Sequence, residues 1–146
     1  MSSYEKRTWW TRHNMTHRIA NESFLEAAVT SAFLIAAADG HASDREYDAM
    51  LDRLELLGGV ERDRVDEQVT QVSHALEEAG FEPLIARVAE LITDPDAAEA
   101  ALMLGLVIGL ADDDFSDSER EVALQLATAT GVTPASFETL LSQLRD

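Results

Sequence analysis

Six carboxylates stand out in two short stretches that repeat one another, four of them at matching positions. Ala38-Asp-Gly-His-Ala-Ser-Asp-Arg-Glu46 and Ala111-Asp-Asp-Asp-Phe-Ser-Asp-Ser-Glu119 align without a gap, Asp39 falling on Asp112 and Glu46 on Glu119. The first holds Asp39 and Glu46; the second holds Asp112, Asp113, Asp114 and Glu119. Hard divalent cations such as calcium and magnesium take several oxygen ligands, so these six form a candidate metal cluster if the two stretches meet. They do not form an EF-hand. Counting Asp112, Asp114 and Ser116 as its first, third and fifth positions puts Ala123 at the twelfth, where a bidentate glutamate is required; the count from Asp39 ends at Met50.

A purely structural reading of the same residues stands beside the metal reading. Ser43 followed by Glu46, and Ser116 followed by Glu119, are capping-box pairs, and Asp44 and Asp117 suit the positive start of a helix. Capping leaves Asp39 and Asp112 to Asp114 unexplained. They fall at the end of the preceding helix, where the dipole disfavours an anion by about 0.3 to 1 kcal/mol. Amides of the next turn or a bound cation would compensate them. His41 lies within the first stretch and could add a nitrogen ligand or simply be a solvent-facing loop side chain.

Catalytic constellations are missing. Helical di-iron sites need Glu-x-x-His, and none of His13, His17, His41 and His74 has a glutamate three residues before it. No nucleophile elbow, phosphate-binding glycine loop or dinucleotide fingerprint occurs, and with no cysteine there is no thiolate ligand or nucleophile. A non-enzymatic protein is expected.

The elements that must position the carboxylates read as helices. Leu25, Ala28, Val29, Ala32, Phe33 and Ala36 recur at helical steps, predicting an amphipathic helix from Phe24 to about Ala38, with Gly40 placed to end it. A helix opened by the Ser43–Glu46 capping box follows, with Tyr47, Met50, Leu51, Leu54 and Leu57 inward, stopped by Gly58-Gly59. Val65, Val69, Val72 and Leu76 mark a third up to Gly80. Leu84, Ile85, Val88, Leu91 and Ile92 mark a fourth after Pro83, and Asp94-Pro95 breaks the chain. The order then repeats: a helix from about Asp96 to Ala111, one opening at Ser116 and ending before Gly131, and a last one opened by Thr133-Pro134 with Phe137, Leu140, Leu141 and Leu144 inward. Gly105 and Gly109, four apart, let another helix approach closely. No strand alternation is visible. The expected fold is all-α, a compact bundle of about seven helices built from two pseudo-equivalent helical hairpins. Residues 1–21 form a basic, aromatic leader; 22–146 form one domain, with repeat units at about 22–79 and 95–145 and a linking helix at about 81–93.

Charge narrows the partners. The net charge of −17 is uneven: residues 1–18 hold four basic side chains against Glu5, while the rest hold seven against 27 acidic ones, a net of −20. Such a body repels phosphates and attracts cations or basic surfaces, so no nucleic-acid partner is expected, although acidity also serves solubility. Trp9 and Trp10 lie beside Lys6, Arg7 and Arg12, either as an interaction arm or as an extra helix folded onto the acidic body. The longest apolar run, Ala100 to Ala111, has 12 residues, short of the roughly 20 that span a bilayer. With no secretory pattern in the leader either, a cytoplasmic protein without a transmembrane segment is expected.

Taken together, these residues resemble the tellurite-resistance TerB family, whose domain also occurs in DjlA-type co-chaperones. The likeness rests on Ala37-Ala38-Asp39-Gly40 with Ser43 and Glu46 beyond, on Pro95-Asp-Ala-Ala98 leading into a small-residue helix, and on Asp112 with Glu119, Gly131 and Pro134; it covers roughly Phe24 to Leu141. The resemblance implies a compact helical protein not itself known as an enzyme. It also implies stress resistance exercised alongside membrane-associated and calcium-binding partner proteins, and acidic turns suggested to bind metal. By that likeness Asp39, Glu46, Asp112 and Glu119 are the candidate ligands. The chain departs from the family at Asp113, where glycine is usual. Direct capture of tellurite, an anion, is disfavoured by the acidic body and the lack of a thiol. The expected function is an adaptor whose acidic turns bind a divalent cation or a basic partner. The alternatives are a metal-independent interaction module of co-chaperone type and, more distantly, a metal-dependent hydrolase.

Overall fold

The computed structural model describes Arg18, residues 21–38, Asp48, Asp52, residues 62–109 and residues 116–145. These residues form six helices and no strand: α1 (Glu22–Ala36), α2 (Arg62–Ala79), α3 (Phe81–Leu91), α4 (Pro95–Gly109), α5 (Asp117–Thr130) and α6 (Pro134–Arg145). The expected count of about seven becomes six because the helix expected to open at the Ser43–Glu46 capping box falls outside the described residues, apart from Asp48 and Asp52, which are helical.

Local chemistry sets the helix ends. Asn21 caps α1, its Oδ1 accepting from the Phe24 amide at 3.1 Å, and Asp94 caps α4, its Oδ2 accepting from the Ala97 amide at 3.1 Å. The alignment that lays Asp39 on Asp112 also lays Asn21 on Asp94, so the two caps are equivalent positions of the repeat. Thr133 caps α6 through the Ser136 amide at 3.1 Å. α5 ends in a Schellman motif, in which the amides of Gly131 and Val132 bond the carbonyls of Thr128 and Ala127 at 3.3 and 2.8 Å. Gly131 takes φ +85° there, a value open mainly to glycine. Gly80 separates α2 from α3 at φ +83°, its amide bonding the Leu76 carbonyl at 2.9 Å. α3 begins at Phe81, before the expected Pro83, because a proline in the first turn lacks only an amide that no helical carbonyl would have accepted.

One hydrophobic cluster draws on all six helices. The apolar stripe of α1 predicts an amphipathic helix with one solvent face. The helix is instead enclosed: Phe24, Leu25 and every residue from Ala27 to Ile35 are buried, because α2, α3, α4 and α5 all pack against it. Its two polar members there include Ser31, whose hydroxyl donates to the Ala27 carbonyl at 2.8 Å. α4 is buried at Ala98 and continuously from Ala100 to Leu106, and its contact with α1 is the most extensive among the described helices.

The α1–α4 pair is parallel. At their starts, Asn21 and Phe24 line the same cavity as Thr93, Asp94 and Ala97, and Arg18 pairs with Asp94 at 3.9 Å. Further along, Gly105 lies against Ser31 and Ala32; a Cβ built at Gly105 would stand 2.9 Å from the Ser31 Cβ and 3.3 Å from the Ala32 nitrogen. Both helices therefore advance from the first contact to the second in the same direction. From that second contact Ala36 and Gly109 are five and four residues on, about 6 to 8 Å at the helical rise. For usual crossing angles and interaxial distances, the two axes end side by side, roughly 10 Å apart, at one end of the bundle.

Candidate metal centre

The acidic stretches leave from the paired ends of α1 and α4: Asp39 follows Ala38 directly, and Asp112 stands three residues beyond Gly109. Asp39, Glu46, Asp112, Asp113 and Asp114 themselves lie outside the described residues. Among the described residues, no group of three or more histidine, aspartate or glutamate side chains is arranged to hold a metal ion.

Glu119 is the one candidate ligand that is described. It is 9% exposed and completes the expected capping box: its Oε1 accepts from the Ser116 amide at 3.0 Å, and its own amide donates to the Ser116 hydroxyl at 3.1 Å. This reciprocal pair fixes the first turn of α5 immediately after the second acidic stretch. Arg120 next to it pairs with Glu138 and stacks over Phe137, 5.7 Å from the ring centroid, which ties α5 to α6.

All five arginines with described side chains are already matched to carboxylates. Arg18 meets Asp94; Arg62 meets Asp48 and Asp52; Arg64 meets Glu22 at 3.0 Å; Arg87 meets Glu26 at 3.1 Å and Glu90 at 3.8 Å; Arg120 meets Glu138. These pairs are exposed and contribute little stability, but they consume the basic groups. On the outer face of α2, Asp63, Asp66, Glu67, Glu77 and Glu78 are exposed and form no ion pair with a described residue.

Two features lie beyond the sequence reading. Asp94 reads there only as part of a chain break, although the alignment of the two acidic stretches, extended towards the N-terminus, lays the Asn21 cap on it. The second is a groove of about 320 Å³ bounded by α1, α2 and α3 and lined by Glu22, Glu26, Arg64, Glu67 and Arg87. Gln68 also lines it, and its Oε1 is buried with no hydrogen-bond partner. No sequence signal could have found that groove, because its walls come from positions as far apart as Glu22 and Arg87.

Residues 25–142 match the family model described as Tellurite resistance protein TerB, which covers most of the chain. No curated protein and no solved structure matches it.

Proposed function

Because the chain belongs to the TerB family of tellurite-resistance proteins, we propose that it is a non-enzymatic stress-response adaptor whose two acidic stretches together bind one divalent cation, calcium or magnesium. The observation that carries this reading is the parallel pairing of α1 and α4. An antiparallel pair would send the two stretches to opposite ends of the bundle; a parallel pair releases both from the same end. Two negative helix termini of about half a charge each, roughly 10 Å apart, repel by only about 0.4 kcal/mol at an effective dielectric of 20, so the dipoles alone ask for nothing. Asp39 and Asp112 to Asp114, which follow those termini in sequence, bring four full charges. A hard cation with several oxygen ligands offsets them.

The decisive experiment is calorimetric titration of chelator-treated protein with calcium, magnesium, manganese and zinc, repeated on Asp39→Asn/Asp112→Asn. Saturable binding near one ion per chain that disappears in the double variant is expected. Absence of heat above the buffer control, with an unchanged melting temperature, would make the carboxylates helix caps.

The exposed acidic face of α2, which forms no ion pair with a described residue, favours a second reading, in which a basic partner protein docks there whether or not metal is bound. Pull-down with and without chelator separates the two: partner binding that chelation leaves unchanged, and that Glu77→Gln/Glu78→Gln weakens, belongs to the α2 face.

A further inference from the structure

Resting on the reading that a basic partner protein docks on α2, we propose that the groove bounded by α1, α2 and α3 seats that partner's anchor, an arginine side chain. Each wall is one helix face: Glu22 and Glu26 stand a turn apart on α1, Arg64, Glu67 and Gln68 share a face of α2, and Arg87 comes from α3. Two ion pairs tie the walls together, Arg64 to Glu22 at 3.0 Å and Arg87 to Glu26 at 3.1 Å. Three carboxylates thus meet two guanidinium groups, a net charge of −1 that one added cation neutralises. An anion fits less well, because it would have to displace Glu22 or Glu26 from the arginine that each already holds.

The groups left over in the groove are acceptors. Glu67 is exposed and forms no ion pair with a described residue, and the Oε1 of its neighbour Gln68 is buried without a hydrogen-bond partner. A buried acceptor left unmade costs stability that an apolar side chain at the same place would not. Gln68 as a whole is only half-buried and its terminal amide torsion is soft, so a partial turn offers Oε1 to a donor entering the groove. A guanidinium suits these acceptors better than an ammonium does: its planar fork pairs with the Glu67 carboxylate through two N–H groups and keeps others for the amide oxygen, whereas lysine is a point charge. The volume of about 320 Å³ lies at the small end of ligand cavities, room for one side chain rather than a large cofactor. Glu67 also borders the outer acidic face with Asp63 and Asp66, so a basic surface drawn to that face brings its arginine to the mouth of the groove.

The test uses two synthetic peptides of equal charge, one with a single central arginine among lysines and one with lysine throughout. Each is titrated into the full chain by calorimetry at low salt, with NMR observation of the Gln68 side-chain amide. The arginine peptide is expected to bind about tenfold more tightly, the scale of one charge-assisted hydrogen bond, and to shift the Gln68 amide resonance. Glu67→Gln and Gln68→Leu should each abolish that preference. Gln68→Leu should at the same time keep or raise the melting temperature, since it removes the unpartnered acceptor, and this separates lost recognition from lost stability. Glu77→Gln/Glu78→Gln, about 15 Å along α2 from Glu67, should weaken both peptides alike and leave the preference intact. Equal affinity for the two peptides, or a preference that survives either groove variant, overturns the arginine anchor and leaves the basic-partner reading standing. Failure of both peptides to bind refutes that reading and the anchor with it. A Gln68 shift produced by sodium acetate and not by the arginine peptide would assign the groove to anions and overturn the proposal.

Discussion

The capping box at the start of α5 allows a sharp prediction about Glu119, the candidate ligand whose surroundings are described. Ser116→Ala removes the acceptor of the Glu119 amide at 3.1 Å, a loss of about 1 kcal/mol for an N-cap. For a chain of 146 residues this corresponds to a fall in melting temperature of about 3 to 4 °C. Glu119→Gln keeps an oxygen to accept from the Ser116 amide at 3.0 Å and loses only the charge at the helix start, about 0.3 to 1 kcal/mol. The double variant should cost close to the sum, because Glu119→Gln leaves in place the bond that Ser116→Ala removes. Thermal and urea unfolding of the four proteins, each with chelator and with calcium, measures all of these terms. If Glu119 also ligates, calcium should raise the melting temperature of wild type and Ser116→Ala but not of Glu119→Gln. The cap reasoning fails if Ser116→Ala leaves stability unchanged, or if Glu119→Gln costs several kcal/mol without calcium.

Two further expectations concern the frame that holds the site. Asn21→Ala and Asp94→Ala should each cost about 1 kcal/mol in urea unfolding and agree within about 0.5 kcal/mol, since each removes one bond of 3.1 Å to the amide three residues on; a large inequality would show that the Arg18 pair, not the cap, dominates at Asp94. Phe137→Ala should cost about 3 to 5 kcal/mol, because that ring is 1% exposed and fills the core under α6, while loss below 1 kcal/mol would mean the last helix is not anchored there.

Much of this architecture is local and therefore readable along the chain. Helical spacing of apolar residues, the Ser116–Glu119 box, the Thr133-Pro134 start and the Gly131 stop involve partners within a few residues, so their types and order suffice. The same locality explains why the burial of α1 exceeds its pattern. Its sequence shows an apolar stripe, but whether Ala27, Thr30 and Ser31 face water depends on how many neighbouring helices arrive, and four did. Gly105 was legible as a point of close approach, whereas its partner was not.

The sequence by itself determined the helical class, the family likeness, and the six carboxylates with the two chemistries open to them, because residue type and spacing are enough for each. Only the tertiary structure decided that α1 and α4 run side by side in the same direction. That direction follows from the cavity that Phe24 and Ala97 share at one level and the contact of Ser31 with Gly105 at another. Each pair joins residues from the two halves of the chain, and their attraction is nondirectional burial and close packing. No periodicity along the chain encodes which of two apolar helices will meet, or which way round, yet that choice determines whether two acidic stretches leave the bundle at one end or at two.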